Sequence, residues 1–189
     1  MRLREVALRL FAQHGVGATS IRMVATAAGV SPGGVLHHYP TKEDLESAVL
    51  EAALRRLRGA INGVGLDKPT LEALNARRDA HDAFLASEPV IASYLRNVYL
   101  GGGPAAALVF EALNALRREQ MEQMIAAGLA RPMPDHEVGM MLYSILGLSS
   151  LILRPLLEQS EELDENDPAT RARFRAAEID LLTRPLFIE

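Results

Sequence analysis

The stretch from Thr19 to His38 constrains the chain more than any other, because it leaves only three residues to turn one helix into the next. Ile21, Val24, Ala25 and Ala28 recur at helical spacing, and Thr19 or Ser20 stands where an N-cap is wanted. Gly29 supplies the left-handed residue that ends a helix. Ser31 and Pro32 then open another, as N-cap and first-turn proline. Pro40 stops this third helix, so it is short, Pro32 to Tyr39. So short a turn forces a sharp crossing, and the small side chains of Ala25 and Ala28 let the two backbones approach closely. Packing Ile21, Val24 and Ala25 against Val35 leaves the opposite face of the second helix of the pair free to enter a DNA major groove.

The flanking sequence continues in helices. Leu3, Val6, Ala7, Leu10 and Phe11 form one stripe, ended by Gly15 and Gly17. Thr41 begins a fourth helix with Asp44 three residues on, a weak capping box, and Leu45, Ala48, Val49, Ala52, Leu57 and Ile61 give it a buried face. Asn62 to Pro69 is the best boundary. Beyond it the spacing predicts helices at about Thr70–Ala86, Pro89–Leu100, Pro104–Ala127, Asp135–Leu157 and Ala169–Leu182. No strand-period alternation persists and no solenoid repeat is present. With aromatics at 5%, the core must be built from Ala, Leu, Val and Met, which suits an all-α protein.

Charge is divided unevenly. Residues 1–58 hold eight Lys/Arg and five Asp/Glu, whereas the whole chain has a net charge of −4, so the excess of acid lies entirely beyond residue 58. Such asymmetry points to a nucleic-acid-binding end. The absence of cysteine removes disulfides, thiolate zinc sites and a cysteine nucleophile, and suits a reducing compartment. No apolar run reaches the ~20 residues that span a bilayer, so a cytoplasmic protein without a membrane partner is expected.

The segment resembles the DNA-binding domain of the TetR family of regulators. The resemblance is carried by Leu10 through Gly15, Thr19-Ser20-Ile21-Arg22, Ala25 through Ser31, and His37-His38-Tyr39-Pro40-Thr41-Lys42-Glu43-Asp44-Leu45. It covers roughly the first quarter of the chain. It implies a helix-turn-helix domain over 1–48, of three helices, joined by a fourth helix to a helical ligand-binding and dimerisation domain over 49–189. It further implies a transcriptional regulator, in the family's commoner mode a repressor, that binds a double-stranded operator as a homodimer and is released by a small-molecule effector. An inverted-repeat operator follows from two copies placed one DNA turn apart.

By the same resemblance Pro32 to Tyr39 lies in the major groove, and Thr19, His37 and Lys42 contact the sugar-phosphate backbone. Lys42 also stands at a helix N-terminus, where its charge and free N–H groups favour phosphate. The DNA-contacting set is therefore Thr19, Arg22, Ser31, Pro32, Gly33, Gly34, His37, His38, Thr41 and Lys42. Thr19 and Thr41 are equally readable as caps, and of the two histidines His37 is expected outward and His38 inward. Gly33-Gly34 departs from the family pattern, removing base-reading side chains while letting the backbone come close.

Three roles compete for the apolar residues after Pro69: core, dimer interface and pocket. The helix 135–157 is apolar nearly all round and needs burial on more than one side. The expected dimer contacts are Leu146, Ser149, Ser150, Leu153, Ile179 and Leu182. Phe84, Tyr94, Tyr99, Phe110, Met121, Met124, Met140 and Tyr143 are the candidate pocket lining for an apolar or weakly polar effector, with Arg96, Asn97 and Asn114 to hold a polar end. No catalytic, metal or cofactor motif is present, and His81-Asp82 reads as a solvated pair because neighbours diverge by ~100° on a helix. The competing function is a helical small-molecule-binding or scaffold dimer without useful DNA binding.

Overall fold

A computed structural model describes residues 2–62, 70–130, 132, 134–157, 159 and 167–183. Side chains at 71, 74, 150, 154, 175, 178, 179 and 181–183 lie outside that description. Among the described residues there are nine helices and no strand: α1 Arg2–His14, α2 Ile21–Ala28, α3 Pro32–His38, α4 Lys42–Asn62, α5 Leu71–Ser87, α6 Pro89–Gly101, α7 Gly103–Ala126, α8 His136–Leu157 and α9 Pro168–Thr183. The expected helices are all there, displaced by one or two residues at their ends. The boundary segment 63–69 and most of the acidic loop before α9 lie outside the described residues.

The described residues fall into two compact units, one within Met1–Gly63 and His81–Ala112, the other within Val64–Ala80 and Leu113–Glu189. In the first unit, Val6, Ala7, Leu8 and Phe11 of α1 are buried with Val24, Ala25 and Ala28 of α2, Val35 of α3 and a long stripe of α4 from Leu45 to Ile61. Ile91, Tyr94, Leu95 and Val98 of α6 complete this core. Each fully buried aliphatic or aromatic side chain contributes about 1.5–3 kcal/mol.

Polar bonds reinforce the seam of α1, α4 and α6. The Asn97 amide of α6 donates to the Ala12 carbonyl at 2.9 Å, satisfying an acceptor in the last turn of α1. Arg56 of α4 pairs with Glu88 before α6 and lies 3.7 Å from the Glu5 carboxylate of α1. These ion pairs are largely exposed and add little by themselves.

In the second unit Met121 of α7 packs with Met140 and Tyr143 of α8, flanked by Ile125 and Ala130. Gly128, at φ 71°, closes α7 by turning its chain left-handed, and the Leu129 N–H donates to the Met124 carbonyl at 2.9 Å. The Asp135 carboxylate accepts from the Val138 N–H at 3.1 Å and caps α8.

Candidate nucleic-acid interface

Local hydrogen bonding builds the helix-turn-helix. Ser20, not Thr19, caps α2, its hydroxyl oxygen accepting from the Met23 N–H at 3.2 Å. At the other end Gly29 adopts φ 71°, ψ 35°. The Gly29 and Val30 N–H groups donate to the Thr26 and Ala25 carbonyls, the paired bonds that end a helix with a left-handed glycine. Ser31 caps α3 by accepting from the Gly34 N–H at 3.1 Å, with Pro32 in the first turn. Each such cap stabilises by about 1 kcal/mol. Val35 is fully buried in the unit's core, α2 packs on α3, and the orientation of α3 is thereby set.

That orientation leaves Pro32, Gly33, Leu36, His37 and His38 exposed on one short helix, with Ser31 and Thr41 exposed at its margins and Arg22 exposed on α2. Gly34 and Lys42 are half-buried. Both histidines point outward, which corrects the expectation that His38 turns in; their rings meet edge to face with centroids 5.5 Å apart. A three-residue turn and a seven-residue helix give one inward position, Val35, and leave no room inside for either imidazole.

Thr19 is the clearest correction. It is 1% exposed, and its hydroxyl donates to the Gly15 carbonyl at 2.9 Å, with the Leu10 carbonyl 3.3 Å away. This side chain joins the end of α1 to the start of α2 and has no surface to offer a phosphate. Thr41 and Asp44 form a reciprocal box at the start of α4. The Asp44 N–H donates to the Thr41 hydroxyl oxygen at 3.0 Å, and the Thr41 N–H donates to the Asp44 carboxylate at 3.0 Å. An anion of the protein's own thus already occupies the α4 N-terminus. Lys42 reaches back with its ammonium to the Gly17 carbonyl at 3.4 Å, a long bond that a phosphate can displace.

Neither Gly33 nor Gly34 is required by the fold. Neither has a positive φ, and an added Cβ meets nothing nearer than 3.9 Å at Gly33 or 3.4 Å at Gly34. Their effect is on what faces outward, a low surface beside His37 and His38.

A sequence model described as "Bacterial regulatory proteins, tetR family" matches residues 3–49, the span of α1, α2, α3 and the start of α4. That span is similar to the DNA-binding part of the TetR family. It is 36% identical over 96 residues to the HTH-type transcriptional repressor KstR2 of Rhodococcus jostii, a match that covers 49% of this chain and 46% of that repressor. It is 26% identical over 175 residues to the HTH-type transcriptional regulatory protein RaaS of Mycobacterium tuberculosis, covering 92% of this chain and 76% of RaaS. In fold it resembles the fatty acid degradation regulator FadR from Bacillus halodurans, with a TM-score of 0.75 and 16% identity over 100% of this chain and 96% of that one.

The pocket candidates divide between the units. In the first, Tyr94 is fully buried and stacks on Phe11, Tyr99 lies beside Phe110 with ring centroids 6.5 Å apart, and Phe84 is half-buried. In the second, Met121, Met124, Met140 and Tyr143 are buried. Asn97 is taken up by Ala12 and Arg96 lies 3.5 Å from the Ser93 hydroxyl, whereas the buried Asn114 amide oxygen has no hydrogen-bond partner among the described residues. His81 and Asp82 do pair, at 3.0 Å, although adjacent on α5. Both are partly buried, and rotamer choice closes the divergence that the helix imposes at Cβ.

Of the expected interface residues, Leu146 and Leu153 are exposed and Ser149 half-buried; the side chains of Ser150, Ile179 and Leu182 lie outside the described residues. Val138, Met141, Leu142, Ile145 and Leu156 are also exposed and spaced on one face of α8. The opposite face, through Met140, Tyr143, Ser144, Leu148 and Leu151, is buried. The stretch His136–Leu153 is long and apolar enough, at mean hydropathy 1.4, to cross a membrane by length and composition. These exposed residues recur at three and four along α8.

Proposed function

We propose that the protein is a sequence-specific DNA-binding transcriptional repressor that acts as a homodimer and leaves its operator when a small molecule binds its C-terminal part. The observation that carries this reading is α3, capped at Ser31, seated through Val35 and presenting His37, His38 and the Gly33-Gly34 surface outward. Arg22, Ser31, Pro32, His37, His38, Thr41 and Lys42 are its DNA contacts, with phosphate bonds setting register and α3 reading bases and groove shape. Residues 1–48 are the DNA-binding part and 49–189 the regulatory part.

Dimerisation is supported by α8. A helix with one buried face and a second exposed stripe of Val138, Met141, Leu142, Ile145 and Leu146 is the form a partner helix completes. Two copies then present two α3 helices to an inverted repeat. KstR2 bears the name of a repressor, and that likeness supports repression.

In-vitro selection from random duplexes at about 100 mM salt, where phosphate-driven affinity is already reduced, tests the proposal. Enrichment of an inverted repeat, lost in His37→Ala/Lys42→Ala, is the expected result. A folded dimer that enriches no motif would favour a helical small-molecule-binding dimer without useful DNA binding, the reading that Asp44 at the α4 N-terminus and the paired glycines support.

A further inference from the structure

Leu36 of α3 is 42% exposed and takes no part in the core. Nothing in the folding of α3 asks for an apolar residue there. Ser31 and Pro32 start the helix, the Tyr39 N–H donates to the Val35 carbonyl at its end, and Val35 fills the inward position. A single exposed leucine is ordinary on a protein surface, so what matters is its place on α3.

Successive residues turn by ~100° about a helix axis. Counted from Val35, Gly33 and His37 fall nearest the opposite side, and Leu36 stands on the flank next to Gly33. A helical side chain leans toward the turn before its own, which brings Leu36 toward Pro32 and Gly33. Gly33 has no side chain to hold another molecule away, and the space beside it is open, with nothing nearer than 3.9 Å to an added Cβ.

The charge around Leu36 suits a polyanion. Neither α2 nor α3 contains an acidic residue, and Arg22, His37 and His38 are exposed. Acid first appears at Glu43 and Asp44 of α4, and the Asp44 carboxylate accepts from the Thr41 N–H and hydroxyl. An apolar group framed by cationic and polar neighbours matches a major groove, whose base edges are hydrogen-bonding groups interrupted by the C5 methyl of thymine.

We propose that Leu36 reads thymine in each operator half-site by packing on its C5 methyl, with Gly33 letting α3 come near enough for the contact. This rests on the DNA-binding reading above and adds a base preference that no hydrogen bond supplies. Uracil differs from thymine by that methyl alone, and a methyl group taken out of water changes affinity about fourfold.

An operator is selected from random duplexes with the full-length protein, and each thymine of the enriched inverted repeat is replaced in turn by deoxyuridine. Binding is titrated with the wild type, Leu36→Ala and Leu36→Gln, with thermal unfolding recorded in parallel. The expected result is one thymine per half-site whose methyl loss weakens wild-type binding about fourfold, and about fifteenfold when both half-sites are changed. Both variants should bind the thymine duplex more weakly than the wild type and respond less than about twofold to the exchange. Should Leu36→Ala lose its unfolding transition, Leu36→Gln decides; loss of the transition in both overturns the proposal by making Leu36 a structural residue. An enriched repeat with no methyl-sensitive thymine, or with uracil losses as large in the folded variants as in the wild type, overturns it and leaves the regulator. No enriched repeat removes both.

Discussion

Phe11 and Tyr94 stack with ring centroids 6.1 Å apart and planes 24° from parallel, joining α1 to α6 through the most buried aromatic pair of the first unit. Among the described residues the buried Tyr94 hydroxyl has no hydrogen-bond partner. Burial, with a smaller push from the Glu46 carboxylate, holds its phenol well above the ordinary range. Tyr94→Phe keeps the stack and removes the orphaned hydroxyl, so it is expected to be neutral or to stabilise by up to about 1 kcal/mol. Tyr94→Ala is expected to cost about 3–5 kcal/mol. Urea unfolding of the two variants checks this, and a Phe variant as damaged as Ala would contradict it.

Thr19→Val tests the inward threonine. Losing the bond to the Gly15 carbonyl costs about 1–2 kcal/mol of stability. The salt dependence of DNA binding is expected to stay unchanged, because no phosphate contact goes with it. Lys42→Ala is the counterpart: its stability should hold and its salt slope fall by about one.

At Gly33 stability and function are expected to part. Gly33→Ala adds a methyl into open space on a helix, with a gain of up to about 1 kcal/mol. Operator affinity should nevertheless drop, since the methyl occupies the surface that DNA approaches. Thermal unfolding and a binding titration on one preparation settle the point, and equal or tighter binding would refute the close-approach role.

Glu46 provides a pH dependence with a definite sign. Desolvation raises its pKa above 4.5, Lys42 lowers it less, and Glu43 raises it. Folding therefore disfavours the carboxylate, and the cost is present above the raised folded value and gone below the unfolded one. Glu46→Gln should stabilise at pH 7 and make no difference near pH 4, where the wild-type carboxyl is largely protonated. Denaturant unfolding at the two pH values measures it, and a variant less stable at pH 7 would reverse the sign.

Ile145→Glu places a charge in the exposed stripe of α8. The expected outcome is a monomer by light scattering with the helical circular dichroism retained. A variant that remains dimeric at micromolar concentration would move the interface elsewhere.

Much of the DNA-binding part was legible in residues 19–45 because its determinants are local. Ser31 and Gly29 cap or end helices through bonds to groups within five residues, Pro32 fits the first turn by its fixed φ, and no distant contact is needed to place them. The same holds for the period of α4 and α8, whose apolar positions recur on one face whatever they pack against. The choice between Thr19 and Ser20 as cap was open in the sequence, since either hydroxyl can accept from the first turn. The fold closed it by burying Thr19 at the junction of α1 and α2.

What only the tertiary structure decided are the pairings between distant residues. Asn97 serves Ala12, 85 positions away, and Arg117 rests on Gly147, 30 positions on, and neither has a sequence signature. Helical spacing says which face a side chain occupies; it does not say which helix that face meets.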